Sequence, residues 1–283
     1  VRAVGKLDGR AVLVTGASSG IGAASAIALA VEGARLALVA RRAELLDDVA
    51  ARSRASGSPE VRVYPTDLVD LDAAEAVAVQ SWDDFGGLDG VVNNAGIPKR
   101  LNVRKLPFED VAAVMHLNYL SPVRIMLTLI PRMVDRGSGT FVNVGSVAGR
   151  IGSPQEAAYS GSKFALTGFT EAALVDLAGT GVQFRMVQPG PIQTPIWDEL
   201  PGNDKPLYDG RMYPPEDVAT AVVEAMTGDV FEYFIPADLH GAVAFKGQDI
   251  DTFLKGSIAY MHKLQPPAEV IANIPSSVGG KNS

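Results

Sequence analysis

The chain has 283 residues, 47% of them apolar, enough for the core of one large α/β domain or two small ones. Its net charge of −7 argues against nucleic acid as the main partner, and the absence of cysteine excludes disulfides and thiolate metal sites. Its three scattered histidines, His116, His240 and His262, lack metal-ligand spacing, and neither a secretory leader nor a membrane-spanning apolar run is read, so a cytoplasmic protein without bound metal is expected.

The first apolar run, at 11–14, leads into TGASSGIG at 15–22, then a helical stretch ending near Gly33, then LALVA at 36–40. Strand, glycine-rich turn, helix and strand make a βαβ unit. Gly16, Gly20 and Gly22 permit a tight turn and a close approach of phosphate to backbone. The helix N-terminus adds unpaired N–H groups and a favourable dipole. The pattern points to nucleotide binding; the plain alternative is a turn without a ligand. The second strand ends in Ala40-Arg41-Arg42. An acidic residue here bonds a ribose 2′-hydroxyl, whereas arginine accommodates a 2′-phosphate. Two guanidiniums and no carboxylate favour NADP(H), with NAD(H) as the alternative.

Residues 43–55 read as a helix and 61–70 as a third strand ending near Asp67. Asp67 can accept from an adenine amine while Leu68 packs on the ring; Asp70 is the better N-cap for the helix at 71–85. LDGVVNNAG at 88–96 is a fourth strand running into a small-residue turn, where Gly96 lets a backbone come close to a ligand. A helical region over 109–136 carries Asn118, which is unfavourable in mid-helix. It marks either a kink with a bound water or an exposed polar position.

TFVNVGS at 140–146 is the fifth strand, and Pro154 precedes a helix over 155–178. Tyr159 and Lys163 lie four apart on it and so share a face. A free tyrosine has a pKa of about 10; a nearby cation lowers it and readies the phenol for proton transfer to a substrate oxygen. Ser146 ends its strand, where α/β sheets present ligands, and its hydroxyl can bond the same oxygen. Taken alone, a Tyr and a Lys at this spacing arise in many helices by chance.

The stretch 182–195 holds a sixth strand ending in Pro189-Gly190, and a Pro/Gly-rich loop over 195–214 lies where a substrate lid would sit. Ile196, Trp197, Leu200, Leu207 and Met212 suggest an apolar pocket for a bulky carbonyl compound. A helix at 215–226 and a strand at 231–236 follow. The alternation, without linker or repeat, reads as one domain over 1–264 on a doubly wound parallel sheet. A further helix at about 248–263 places Ile250, Phe253, Leu254, Ile258 and Met261 on one face, either packed on the body or forming a subunit contact or pocket wall. Residues 265–283 read as a flexible tail.

TGASSGIG at 15–22, NNAG at 93–96, Asn118, Ser146, Tyr159 with Lys163, and PGPIQT at 189–194 stand in family order and spacing. In these the chain resembles the short-chain dehydrogenase/reductase (SDR) family over about residues 8–236. The resemblance implies a seven-stranded, three-layer α/β/α Rossmann fold, a nicotinamide cofactor and interconversion of a secondary alcohol with a ketone or aldehyde. It makes Tyr159 the general acid/base, with Lys163 lowering its pKa and holding the nicotinamide ribose. Ser146 would orient the substrate oxygen and Asn118 would hold a relay water. Thr15, Gly16, Ser18, Ser19, Gly20, Ile21 and Gly22 would line the pyrophosphate. Asp67 and Leu68 would meet the adenine, and Asn94, Ala95 and Gly96 the ribose side. Pro189 and Gly190 complete the cofactor set, with Ile192 and Thr194 on the carboxamide. A small-molecule substrate and a homo-oligomer, dimer or tetramer, go with it. Two features depart from the family pattern. Ser19 stands where many NADP users carry a basic residue, and the Asp-Gly-Gly ending of tetrameric bacterial members is missing. The competing readings are an NAD(H)-preferring dehydrogenase and a nucleotide sensor without turnover.

Overall fold

Seven short apolar runs lie side by side, all parallel: β1 Ala11–Thr15, β2 Arg35–Ala40, β3 Val61–Pro65, β4 Gly90–Asn93, β5 Gly139–Val144, β6 Val182–Pro189 and β7 Glu232–Ile235. In the computed structural model, which describes residues 4–198 and 200–264, they form one sheet in the order β3-β2-β1-β4-β5-β6-β7. The expected flexible tail at 265–283 lies outside the described residues. β1 is buried at every position, which is why it reads as a continuous apolar run and not an alternating one.

Helices α1 Gly20–Val31 and α2 Ala43–Ser56 cover one face of the sheet. α3 Leu71–Phe85 covers the other, where α4 Phe108–Met115 leads into α5 Ser121–Arg136, followed by α6 Ala157–Asp176. α7 Pro215–Thr227 returns to the first face. Each face thus has its own apolar core, as a three-layer fold requires. Phe141 and Phe184 stack across β5 and β6 with ring centroids 5.1 Å apart. Burying one such side chain stabilises the fold by about 1.5–3 kcal/mol. The Asp70 carboxylate accepts from the N–H groups of Asp72 and Ala73 and caps α3, as its position predicts.

Three stretches differ from the sequence reading. The helix expected from residue 155 opens at Ala157, because Gln155 has a φ of 62° and stands outside helical geometry. The helix over 109–136 contains a π-helical turn at His116–Leu120. Pro122 has no N–H for the carbonyl of Asn118 four residues earlier, so the α ladder cannot continue there. The Ser121 N–H reaches the His116 carbonyl instead. By length and composition the whole stretch Phe108–Arg136 could cross a membrane, which corrects the reading that no run is long enough. Its inward residues Ile125, Met126, Leu129 and Met133 belong to the core against the sheet.

The third difference follows β7. Two helices stand there, the unpredicted α8 Leu239–Gln248 and then α9 Ile250–Leu264. The predicted apolar face of the second is split. Phe253 and Met261 are half-buried, whereas Ile250, Leu254 and Ile258 are 52%, 48% and 54% exposed. Packing on the body therefore accounts for only part of that face.

Candidate active site

The strand order turns back between β1 and β4, and there the carboxyl ends of β1, β2, β4, β5 and β6 open into a cavity of about 420 Å³. Its first wall is the turn from β1 into α1. Gly16 and Gly20 have φ of 65° and 53°, which only glycine adopts without strain. Ser19 precedes α1 without a side-chain cap, leaving the first N–H groups of the helix available to an anion. Gly16, Ser18, Ser19, Gly20 and Ile21 line the cavity.

Thr15 and Gly22, which the resemblance puts at the pyrophosphate, stand behind the cavity wall and do not line it. The Thr15 hydroxyl accepts from the N–H groups of Asn94 (2.9 Å) and Ala95 (3.1 Å) and donates to the Val92 carbonyl (3.3 Å). A Cβ on Gly22 would lie 2.2 Å from the Gly16 carbonyl oxygen and 2.6 Å from Asn94 Nδ2. Both residues hold the floor together from behind.

Arg41 and Arg42 follow β2 and are exposed at the cavity edge. Arg42 donates to the hydroxyls of Ser18 (3.0 Å) and Ser19 (2.9 Å). Asp67 is exposed and Leu68 buried beside them. Asn94, Ala95 and Gly96 line the cavity after β4, and Pro189, Gly190, Ile192 and Thr194 after β6. At Gly96 a Cβ would come 3.2 Å from Asn118 Oδ1 and 3.8 Å from Lys163 Nζ. The glycine keeps that corner open.

At the far end stand Ser146, Tyr159 and Lys163. Gln188 Oε1 accepts from the Ser146 N–H (2.8 Å), and the Ser146 hydroxyl donates to the Pro189 carbonyl (3.3 Å). The Tyr159 phenol lines the same end of the cavity as the Ser146 hydroxyl, which also accepts from the Ala148 N–H (3.1 Å). Lys163 is buried, donates to the Val144 carbonyl (2.9 Å) and lies 5.7 Å from the Tyr159 ring centre. Burial lowers its pKa to about 8. The Tyr159 pKa is raised, first by burial and then by the charge of Glu156, with the Ser146 hydroxyl opposing. That direction is opposite to the one the Tyr–Lys spacing predicts. The ammonium reaches the Val144 carbonyl, and seclusion from water disfavours the phenolate.

Asn118 is buried outside the cavity lining. Its Oδ1 accepts from the Ile97 N–H (2.8 Å), and its Nδ2 donates to the Ile97 carbonyl (3.0 Å) and Ser162 Oγ (3.2 Å). The Asn118 side chain is thus occupied in tying the turn after β4 to α6.

Two residues of the far end escaped the sequence reading. Arg100 is 3% exposed, lines the cavity, and donates to the carbonyls of Ile196 (2.7 Å) and Asp198 (3.0 Å). Its guanidinium lies 5.8 Å from the Trp197 ring centre. Glu156 lines the same end, and its pKa is raised to about 7 by burial, with Arg100 opposing. In sequence Arg100 is the second residue of a Lys-Arg pair that reads as surface charge, and Glu156 reads as an acid at a helix start. No local signal separates either from those roles. Ile196, Trp197 and Leu200 line the pocket as expected; Leu207 and Met212 do not.

An elongated cavity with glycines, an uncapped helix start, guanidiniums at one end and a Ser–Tyr–Lys group at the other fits a nicotinamide dinucleotide. The short chain dehydrogenase family model matches residues 10–205, and the chain belongs to this family. It is 39% identical to an uncharacterized oxidoreductase of Mycobacterium tuberculosis over 205 residues, 69% of this chain and 60% of that protein. The chain thus spans less than two thirds of that relative's length. It is 33% identical to the 3-oxoacyl-(acyl-carrier-protein) reductase of Thermotoga maritima over 226 residues, 77% of this chain and 90% of the relative. Among solved structures, a metagenomic short-chain oxidoreductase in complex with NADP matches with a TM-score of 0.69 at 29% identity. The match covers 81% of this chain and 96% of that one.

Proposed function

We propose that the chain is an NADP(H)-dependent oxidoreductase that interconverts a secondary alcohol and a ketone or aldehyde, with Tyr159 as general acid and base. The observation that carries this reading is the meeting of Ser146, Tyr159 and Lys163 at one end of a cavity whose other edge presents Arg41 and Arg42. The NADP complex of the metagenomic relative supports the cofactor class. Residues 1–264 act as one domain on this reading, with 195–214 as its substrate loop. A homo-oligomer belongs to it, and the exposed Leu127 and Phe164 offer apolar contact surface.

When bound, the nicotinamide group supplies or takes the hydride. The hydroxyls of Ser146 and Tyr159, which line one end of the cavity, receive the substrate oxygen between them. In reduction Tyr159 gives that oxygen its proton, and the raised pKa keeps the phenol protonated at rest. In oxidation Tyr159 must first release its proton, so this direction leans on the Lys163 ammonium, which is charged below about pH 8. Lys163 uses one N–H on Val144 and keeps two for the ribose hydroxyls. A relay water falls to the Asn118 carbonyl, since the side chain is engaged.

The test is fluorescence titration with NADPH and NADH, followed by cofactor oxidation with a panel of ketones. NADPH is expected to bind more tightly than NADH. Tyr159→Phe is expected to lower turnover by about 10²–10⁴-fold with NADPH affinity unchanged. A variant that keeps most of the turnover refutes the proton-transfer role. NADPH binding without turnover of any carbonyl by the unaltered protein favours the sensor reading.

A further inference from the structure

We propose that Glu156 is a substrate-binding residue that selects carbonyl compounds bearing a hydroxyl next to the reacting carbon, so that α-hydroxyketones and the corresponding vicinal diols are the substrate class. The inference rests on the oxidoreductase reading above and names the substrate of the same site.

Glu156 stands immediately before α6, three residues ahead of Tyr159, and both line the cavity. Glu156 is the cap residue of α6, with φ −114° and ψ 33°, and its side chain shares the cavity lining with Tyr159. A substrate whose carbonyl oxygen meets Tyr159 therefore has Glu156 beside it in the same cavity. The charge of Glu156 acts on Tyr159, and that of Arg100 acts on Glu156, so the three groups lie within electrostatic reach of one another. Yet among the described residues the Glu156 carboxyl takes no hydrogen bond and no salt bridge. The Nη1 and Nη2 groups of Arg100 go to the carbonyls of Ile196 and Asp198 instead. Glu156 is half-buried, so its carboxyl keeps access to the cavity and is free to pair with a group bound there.

The chemistry of the partner follows from the surroundings. Near neutral pH the carboxyl is divided between its charged and neutral forms, its pKa being raised to about 7. A hydroxyl both donates and accepts, so it pairs with either form. A substrate carboxylate is repelled by the charged form. An ammonium meets the fixed cations Arg100 and Lys163. An alkyl group leaves the carboxyl unpaired. Ile196, Trp197 and Leu200 supply the apolar wall for the rest of the molecule.

The experiment compares kcat/KM for 3-hydroxy-2-butanone and 2-butanone with NADPH, in the unaltered protein, Glu156→Gln and Glu156→Ala. Thermal shifts given by 2,3-butanediol and 2-butanol in the presence of NADP⁺ are measured alongside. The unaltered protein is expected to prefer the hydroxyketone by about tenfold or more. Glu156→Gln, which still hydrogen-bonds, keeps part of that preference, and Glu156→Ala brings the ratio close to one. The same ratio in Glu156→Ala as in the unaltered protein, or no preference to begin with, overturns the assignment. Turnover of neither ketone by any of the three counts against the oxidoreductase reading instead. The difference between diol and alcohol in thermal shift, and its loss in Glu156→Ala, then decides the role of Glu156 independently.

Discussion

The two ends of the cavity are built in different ways. The cofactor end comes mainly from one contiguous stretch, 15–22, and from backbone. Its glycines stand where a Cβ has no room, as at Gly22, 2.2 Å from the Gly16 carbonyl. The substrate end is sewn from segments about a hundred residues apart. Arg100 holds Ile196 and Asp198, Lys99 donates to the Gly202 carbonyl (2.8 Å), and the Asn102 N–H donates to Asp204 (3.1 Å). The Leu101 N–H donates to the Gln155 carbonyl (2.7 Å), linking the same strap to the chain just before Glu156. A backbone cradle tolerates few changes. A strap of side chains can be rebuilt for another substrate without disturbing the sheet.

The sharpest way to break this contrast lies at the cofactor edge. Arg42→Ser removes a guanidinium whose only hydrogen bonds among the described residues go to Ser18 and Ser19. A charge-assisted hydrogen bond is worth about 1.5–3 kcal/mol, so NADPH affinity is expected to fall about 10- to 100-fold while NADH affinity holds. Calorimetric titration with both cofactors checks this. Equal loss for both would show that Arg42 supports the turn and does not read the 2′-phosphate.

At the other end, Arg100→Met keeps the bulk and removes the strap's charge. KM for a ketone is expected to rise about tenfold with a smaller change in kcat, since the loss is of binding geometry. Cleavage within 196–204 by a protease should quicken, while NADPH affinity stays within about twofold. If NADPH binding falls in step with KM, the two ends are one cooperative unit and the contrast drawn above is wrong.

The same contrast explains what the sequence revealed. The βαβ unit, the glycine turn and the strand ends at Ser146 and Pro189 are local patterns, readable from a few adjacent residues. So is the Asp70 cap. Arg100 and Glu156 acquire their meaning only when the loop folds over them, and neither lies in a local pattern. Asn118 shows an intermediate case. Its place inside a helix signalled a local irregularity, and Pro122 four residues on holds the reason, but which atom stays free needed the bonds to Ile97 and Ser162. The Tyr159–Lys163 spacing predicted proximity correctly and the direction of the pKa shift incorrectly, because burial depends on the whole fold.

The smallest effect tests burial itself. Glu156 has an unfolded pKa of 4.5 and a folded pKa raised to about 7. The folded state therefore binds more protons than the unfolded state between those values. Its contribution to stability is full below about pH 4.5 and is lost as pH rises through about 7. Lys163 acts in a separate window. Its folded pKa is lowered to about 8 from 10.5, so its burial penalty is full below about 8 and relaxes towards 10.5. Glu156→Gln removes only the first dependence. Urea unfolding from pH 5 to 8 should show the variant gaining on the unaltered protein by on the order of 1 kcal/mol, after discounting for partial exposure. The gain should centre between pH 5 and 7, below the Lys163 window. Parallel stability curves would mean that water reaches the carboxylate in the folded state. The substrate end would then be an open, solvated mouth, and its difference from the cofactor end would lie in charge alone.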